Sequence, residues 1–205
     1  MTRAWVAGVG LAIASLFAAM PALAYPLPFS SNLDEISSGT IGSGTLGTVT
    51  LTEVSATEVD VAVTLASNTQ FVRTGSHHAF LYNLNGLTGY TVTLVSPVGD
   101  FAATTNGGNT PYGTFTNGFN CTGCGSGGSS PIPGPLDFKV TDASGVSIAN
   151  FVANTGGNYF SADVLGPKGG TGSIASNTAP APEPASLGLL GTGLLALLIV
   201  RRRYI

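Results

Sequence analysis

The chain has 205 residues, of which 8% are charged and 43% hydrophobic, and its formal net charge is −3. That length allows one domain, since domains commonly run to about 100–200 residues. Four of the seven basic residues sit at the two ends, so residues 25–179 carry three (Arg73, Lys139, Lys168) against nine acids (Asp34, Glu35, Glu53, Glu58, Asp60, Asp100, Asp137, Asp142, Asp163), a balance of −6 that excludes the basic footprint nucleic-acid binding needs.

Residues 1–24 read as a secretory signal peptide. Arg3 supplies a positive start, Trp5 to Met20 an apolar core, and Ala22-Leu23-Ala24 a small-x-small cleavage pattern with Pro21 just upstream. An uncleaved anchor is the alternative. Residues 25–165 read as an all-β body that opens on a Ser/Gly/Thr-rich lead-in, 25–47. Gly42-Ser43-Gly44-Thr45-Leu46-Gly47 spells GxGxxG, but a dinucleotide fold needs a helix after that motif. The run that follows, Thr48-Val49-Thr50-Leu51-Thr52, favours a strand instead. The glycines are read as a turn or flexible lead-in.

From Thr48 onward the hydrophobic period is two. Val59, Val61, Val63 and Leu65 alternate with Glu58, Asp60, Ala62 and Thr64, which predicts a half-buried strand. With Gly47–Val54 before it and Ser55-Ala56-Thr57 between, the pair predicts a hairpin. Val54 is out of phase with Val49 and Leu51, which predicts a bulge or an early strand end. Alternation recurs at Phe80, Tyr82 and Leu84, then at Tyr90, Val92 and Leu94 after a turn at Asn85-Gly86. It returns at Leu136, Phe138 and Val140, at Val146, Ile148 and Phe151, and at Phe160, Ala162 and Val164. Between Thr104 and Pro135 the composition shifts to Gly, Asn, Ser and Pro. Thr114–Phe119 is read there as a short strand or edge segment, and Cys121 to Pro135 as a long loop. Short strands between Gly/Asn/Pro turns point to an antiparallel β-sandwich, jelly-roll or Ig-like. Residues 166–181 read as a Gly/Ser/Pro linker.

Residues 182–205 have three parts. Pro182-Glu183-Pro184 forces extended backbone. Leu187 to Val200 is apolar, and Arg201-Arg202-Arg203 forms a basic stop that favours the cytoplasmic side. Fourteen residues make about 21 Å of helix against a bilayer core of roughly 30 Å, so a single transmembrane helix here is short and suits temporary anchorage.

Few residues in the body invite chemistry. Cys121-Thr122-Gly123-Cys124 reads as a disulfide in an exported chain, with a metal site or a redox pair as alternatives. His77-His78 could join those cysteines around zinc, yet neighbours on a strand face opposite ways. The simpler reading packs His78 inward with Phe80 and Tyr82, and no metal or cofactor is expected. Glu58 and Asp60 read as a solvated strand face, not a glycosidase pair. No nucleophile motif supports any Ser-His-Asp combination.

In all three parts the tail resembles the PEP-CTERM sorting signal of exported bacterial proteins. His77-His78-Ala79-Phe80, Phe119-Asn120-Cys121 through Cys124, Pro135-Leu136-Asp137-Phe138 and Tyr159-Phe160-Ser161-Ala162-Asp163 resemble a body type found with that tail, which implies a β-sandwich and no particular activity. The resemblance implies an exosortase-type membrane transpeptidase as partner, transient residence in the inner membrane, and a final place at the cell surface or in an extracellular matrix. A non-enzymatic protein associated with exopolysaccharide or biofilm is the expected function. A carbohydrate-binding module presenting Tyr82, Tyr90, Tyr112 or Tyr159 is the alternative, although the one Trp lies in the signal peptide. A secreted hydrolase is a third.

Overall fold

The computed structural model describes residues 28–179. The signal peptide, the Pro-Glu-Pro motif, the transmembrane segment and the arginine stop predicted from the sequence lie outside the described residues. Within them the protein is all-β and antiparallel. The chain order is β1 (Phe29–Leu33), β2 (Glu35–Ile36), β3 (Gly47–Ser55), β4 (Glu58–Leu65), β5 (Gln70–Phe71), β6 (Phe80–Leu84) and β7 (Thr91–Ser96). It continues with β8 (Phe101–Asn109), β9 (Gly113–Cys121), β10 (Ile132–Pro133), β11 (Leu136–Thr141), β12 (Phe151–Val152), β13 (Phe160–Leu165) and β14 (Thr171–Ser176).

Two sheets of unequal width result. The narrower has five strands in the order β1-β3-β4-β11-β7, and the wider has nine, built around β2-β14-β13-β6-β9-β8 with β5, β10 and β12 attached. Alternation decides which side of each strand is buried. In β4, Val59, Val61 and Val63 are buried, and in β11 so are Leu136, Phe138 and Val140. The hairpin β3–β4 forms where the sequence predicts it. Its register shifts between Glu53 and Ser55, and Val54 points into solvent.

Aromatic side chains fill the space between the sheets. Phe138 of the narrower sheet meets Phe119 at 4.8 Å, Tyr82 at 5.1 Å and Phe80 at 6.0 Å between ring centroids, all three from the wider sheet. Phe160 stacks on Phe80 behind them. One flank of the sandwich is closed by a hydrogen bond between the buried hydroxyls of Ser31 on β1 and Ser176 on β14. At the other flank the edge strands β7 and β8 are not paired with each other and are joined by the turn through Pro97 and Gly99.

The structure corrects the sequence reading at four places. The lead-in contains β1 and β2. The Gly/Asn-rich stretch after Thr104 carries most of a long hairpin, β8–β9, paired from Phe101↔Cys121 to Asn109↔Gly113, within which the strand expected at Thr114–Phe119 is longer, Gly113–Cys121. Gly107 is required there by close approach, because a Cβ would lie 2.6 Å from Leu81 Cδ2. The strand predicted through Val146, Ile148 and Phe151 is a turn, a 3-10 segment (Ile148–Asn150) and the two-residue β12. The Asn150 side chain takes the Ser147 N–H at 2.8 Å and Glu53 takes the Ile148 N–H at 2.7 Å, so side chains replace the sheet ladder.

Finally, the span read as a linker from residue 166 carries β14, which pairs with the whole of β13 and with β2. Its small residues serve close packing: a Cβ on Gly166 would sit 2.1 Å from the Ile41 carbonyl oxygen. Ile174 and Ala175 are fully buried. Ile174→Ala is expected to cost about 2–5 kcal/mol, as measured by denaturant midpoint. A change within about 0.5 kcal/mol, the range for exposed linker positions, would contradict that placement.

Candidate functional site

His77 and His78 enter different environments. A turn at Thr74-Gly75-Ser76-His77, closed by His77 N–H to the Thr74 carbonyl at 3.0 Å, carries His77 over the outer end of β13. Its Nδ1 lies 3.6 Å from Asp163 Oδ1, 3.3 Å from Ser173 Oγ and 3.4 Å from Thr74 Oγ1. Asp163 is fully buried and is held by Thr74, whose N–H donates at 2.6 Å and whose hydroxyl donates at 2.7 Å. These residues form a Ser-His-Asp set by composition and not by geometry. A hydrolytic triad places the acid on one ring nitrogen and the serine on the other, so that a proton can cross the imidazole. Here acid and hydroxyls all crowd Nδ1.

Sequence reasoning missed this cluster, although an Asp between Ala162 and Val164 in an otherwise apolar strand signals a buried carboxylate that needs donors.

His78 is gripped by its backbone. Its N–H donates to Asn109 Oδ1 at 2.8 Å, and Asn109 Nδ2 donates back to its carbonyl at 3.0 Å. The ring lies against Gly107, where a Cβ would come within 2.9 Å of it. It does not join Phe80 and Tyr82 in the interior; its own Nδ1 is buried without a partner. Among the described residues no three His, Cys, Asp or Glu side chains converge as a metal site.

Cys121 and Cys124 are both buried and their sulfurs are at bonding distance, with Cα atoms 5.3 Å apart. The loop between them is pinned by Thr122 and Gly123, whose N–H groups donate to the Asp100 carbonyl at 2.8 and 3.1 Å. Gly127 N–H reaches the Arg73 carbonyl at 3.0 Å and ties the rest of the loop to the strand leaving β5. The cysteine pair thus closes the end of β9 and fixes a loop. On the outer face of the narrower sheet, Glu58 is paired with Lys139 at 3.4 Å. Asp60, its strand neighbour, has a raised pKa, mainly from burial and then from Glu58.

Of the four tyrosines, Tyr82 and Tyr90 meet at a cleft of about 660 Å³ on the open flank, also lined by Thr91, Val92, Ala103, Thr105 and Asn117. Tyr112 lies in the β8–β9 turn and Tyr159 packs on the core from the approach to β13. The cleft follows from strand register. Ala103 and Thr105 pair with Phe119 and Asn117, whose side chains are buried between the sheets, so they share that inward face. They are nevertheless exposed, because no strand of the narrower sheet lies opposite them. Val92, paired with Val140, forms the facing wall. Tyr90 donates to Asn117 Oδ1 at 2.8 Å across the cleft. Tyr82 stands at the back, its hydroxyl buried without a partner among the described residues, and burial, then Tyr90, pushes its pKa up.

The described body thus belongs to the antiparallel all-β class, with no helix long and apolar enough to cross a membrane among the described residues. Its C-terminal residues 180–203 match the family model of the PEP-CTERM protein-sorting motif, so the chain is a PEP-CTERM sorting domain-containing protein. That motif marks an exported protein directed to an exosortase, with transient sorting at the membrane. It spans Pro182, Glu183, Pro184 and Arg201 to Arg203. No curated protein and no solved structure matches the chain.

Two predictions follow from the buried groups. Desolvation raises the Asp163 pKa above its ordinary 3.8, outweighing the Thr74 hydrogen bonds and His77. The stability this group contributes is complete below 3.8 and is lost as pH rises through the folded value. Asp163→Asn, which does not titrate, is expected to gain in thermal midpoint relative to the unsubstituted protein as pH rises above the ordinary 3.8. A gap that moves the other way would mean that the donors and His77 prevail over burial. Non-reducing mass spectrometry of the exported protein is expected to find Cys121 and Cys124 oxidised to each other; free thiols or bound zinc would overturn the pairing.

Proposed function

We propose that the protein is a non-enzymatic component of the cell surface or extracellular matrix, processed by an exosortase-type membrane transpeptidase and associated with exopolysaccharide or biofilm. The observation that carries this reading is the sorting motif at 180–203, which begins four residues after the last strand, Thr171–Ser176. In this arrangement the body is the passenger and the tail its address. The arginines stay on the cytoplasmic side, the apolar run holds the chain in the inner membrane, and the proline-flanked Glu183 supplies the motif's one carboxylate. A short span of this kind suits a chain held only until processing.

The absence of enzymatic function is part of the proposal. Its support is that the Ser-His-Asp grouping at His77, among the described residues, gathers every partner on a single imidazole nitrogen. The anionic body argues for partners other than nucleic acid.

Conservative replacement of the motif's charge, Glu183→Gln, tests the sorting step. The variant is expected to accumulate at full length in the inner membrane, with little released protein, when membrane and extracellular fractions are compared by immunoblot. Release at the normal rate and mass would contradict the role given to Glu183.

A further inference from the structure

The cleft on the open flank remains without an assigned role. Its walls are the inner faces of the two sheets where they diverge past the corner between β7 and β8. Its size falls within the roughly 300–1,000 Å³ range of small-ligand sites, at about 660 Å³. None of the residues lining it carries a charge. Hydroxyls and a carboxamide, from Tyr90, Thr105 and Asn117, alternate with the apolar surfaces of Val92 and Ala103.

That mixture selects a ligand chemistry. A charged ligand would find no counter-ion, and a purely apolar one would strand the hydroxyls and the carboxamide. A sugar ring offers both halves: hydroxyls that donate and accept, and C–H faces that pack on an aromatic ring. Tyr90 is half-buried, with its hydroxyl already donating to Asn117 Oδ1 at 2.8 Å. The phenol oxygen keeps lone pairs for an incoming hydroxyl, and its ring flanks the space. Tyr82 closes the back of the cleft. Its hydroxyl lies behind Tyr90, is nearly inaccessible, and has no partner among the described residues. An unpaired donor is costly inside a core, and Tyr82 is held there by its stack on Phe138, with ring centroids 5.1 Å apart.

We propose that this cleft binds a neutral oligosaccharide segment, with Tyr90 and Asn117 as the polar contacts and Thr105 at the rim. The inference rests on the matrix reading above and gives it a molecular surface. Because the cleft is open to solvent, an internal stretch of a polymer can lie in it as readily as a chain end.

The test uses the full-length chain purified in a zwitterionic detergent, so that no glycoside headgroup competes, on an array of neutral and acidic oligosaccharides. Tyr90→Ala removes the ring and one hydrogen bond; Thr105→Trp fills the rim from an exposed position that the core does not use. Val54→Ala, on the exposed bulge of β3, is the control, and circular dichroism with the intact disulfide reports folding. Neutral oligosaccharides are expected to bind, with affinity at least about tenfold weaker in both cleft variants and unchanged in the control. Binding of acidic glycans alone, no glycan binding, or full affinity in Thr105→Trp would overturn the proposal.

Fractionation of the producing cells separates the two readings. Released protein that stays with the polysaccharide matrix in both Thr105→Trp and the parent would sink the cleft and leave the matrix assignment standing. Cleft-dependent sugar binding by a protein found free in the medium would do the reverse.

Discussion

The contact between Phe138 and the rings of Phe119, Tyr82 and Phe80 is the interaction on which the body depends. Those four side chains come from both sheets and fill the interlayer at its centre. Aromatic residues bury large apolar areas, and tilted or offset pairs add to that gain. Placing them centrally sets where the narrower sheet must sit on the wider one. With five strands against nine, the narrower sheet cannot cover the whole inner face. It closes at one flank through Ser31 and Ser176 and leaves Ala103 and Thr105 of β8 uncovered at the other. The cleft is a consequence of that offset, not a separate device.

The parts of the fold legible in the sequence are those where large apolar residues alternate. β3, β4, β6, β11 and β13 bury Val, Leu, Phe, Tyr or Ala at every second position, and the period shows. β8 and β14 were hidden for a physical reason. FAATTNGGN and TGSIAS are built of small and polar residues that show no apolar alternation, and each holds a glycine where a neighbouring side chain leaves no room for a Cβ. Gly107 faces Leu81 Cδ2, and Gly172 faces Ile41 Cδ1. A composition that reads as flexible when taken locally is here a requirement of tight packing, which only the tertiary contact reveals.

The candidate sites divide in the same way. The tail is a linear motif, so its order of Pro-Glu-Pro, apolar run and arginines carries the whole signal. The cysteine pair is equally local, with three residues of separation. By contrast, His77 meets Asp163 and Ser173 across 86 and 96 residues, and no short pattern encodes that meeting. Tyr90 could be named as an aromatic, but its role depends on Asn117 and on the missing cover opposite Thr105. Both are properties of sheet width.

On the proposed function, the body is a passenger that ends with β14 and the tail is an address removed on delivery. The mass and C-terminal sequence of the released protein test this most directly. Release should yield a chain that keeps everything through Ser176, the end of β14, and has lost the apolar run and Arg201 to Arg203. Released protein that still carries residues 187–205 would contradict it.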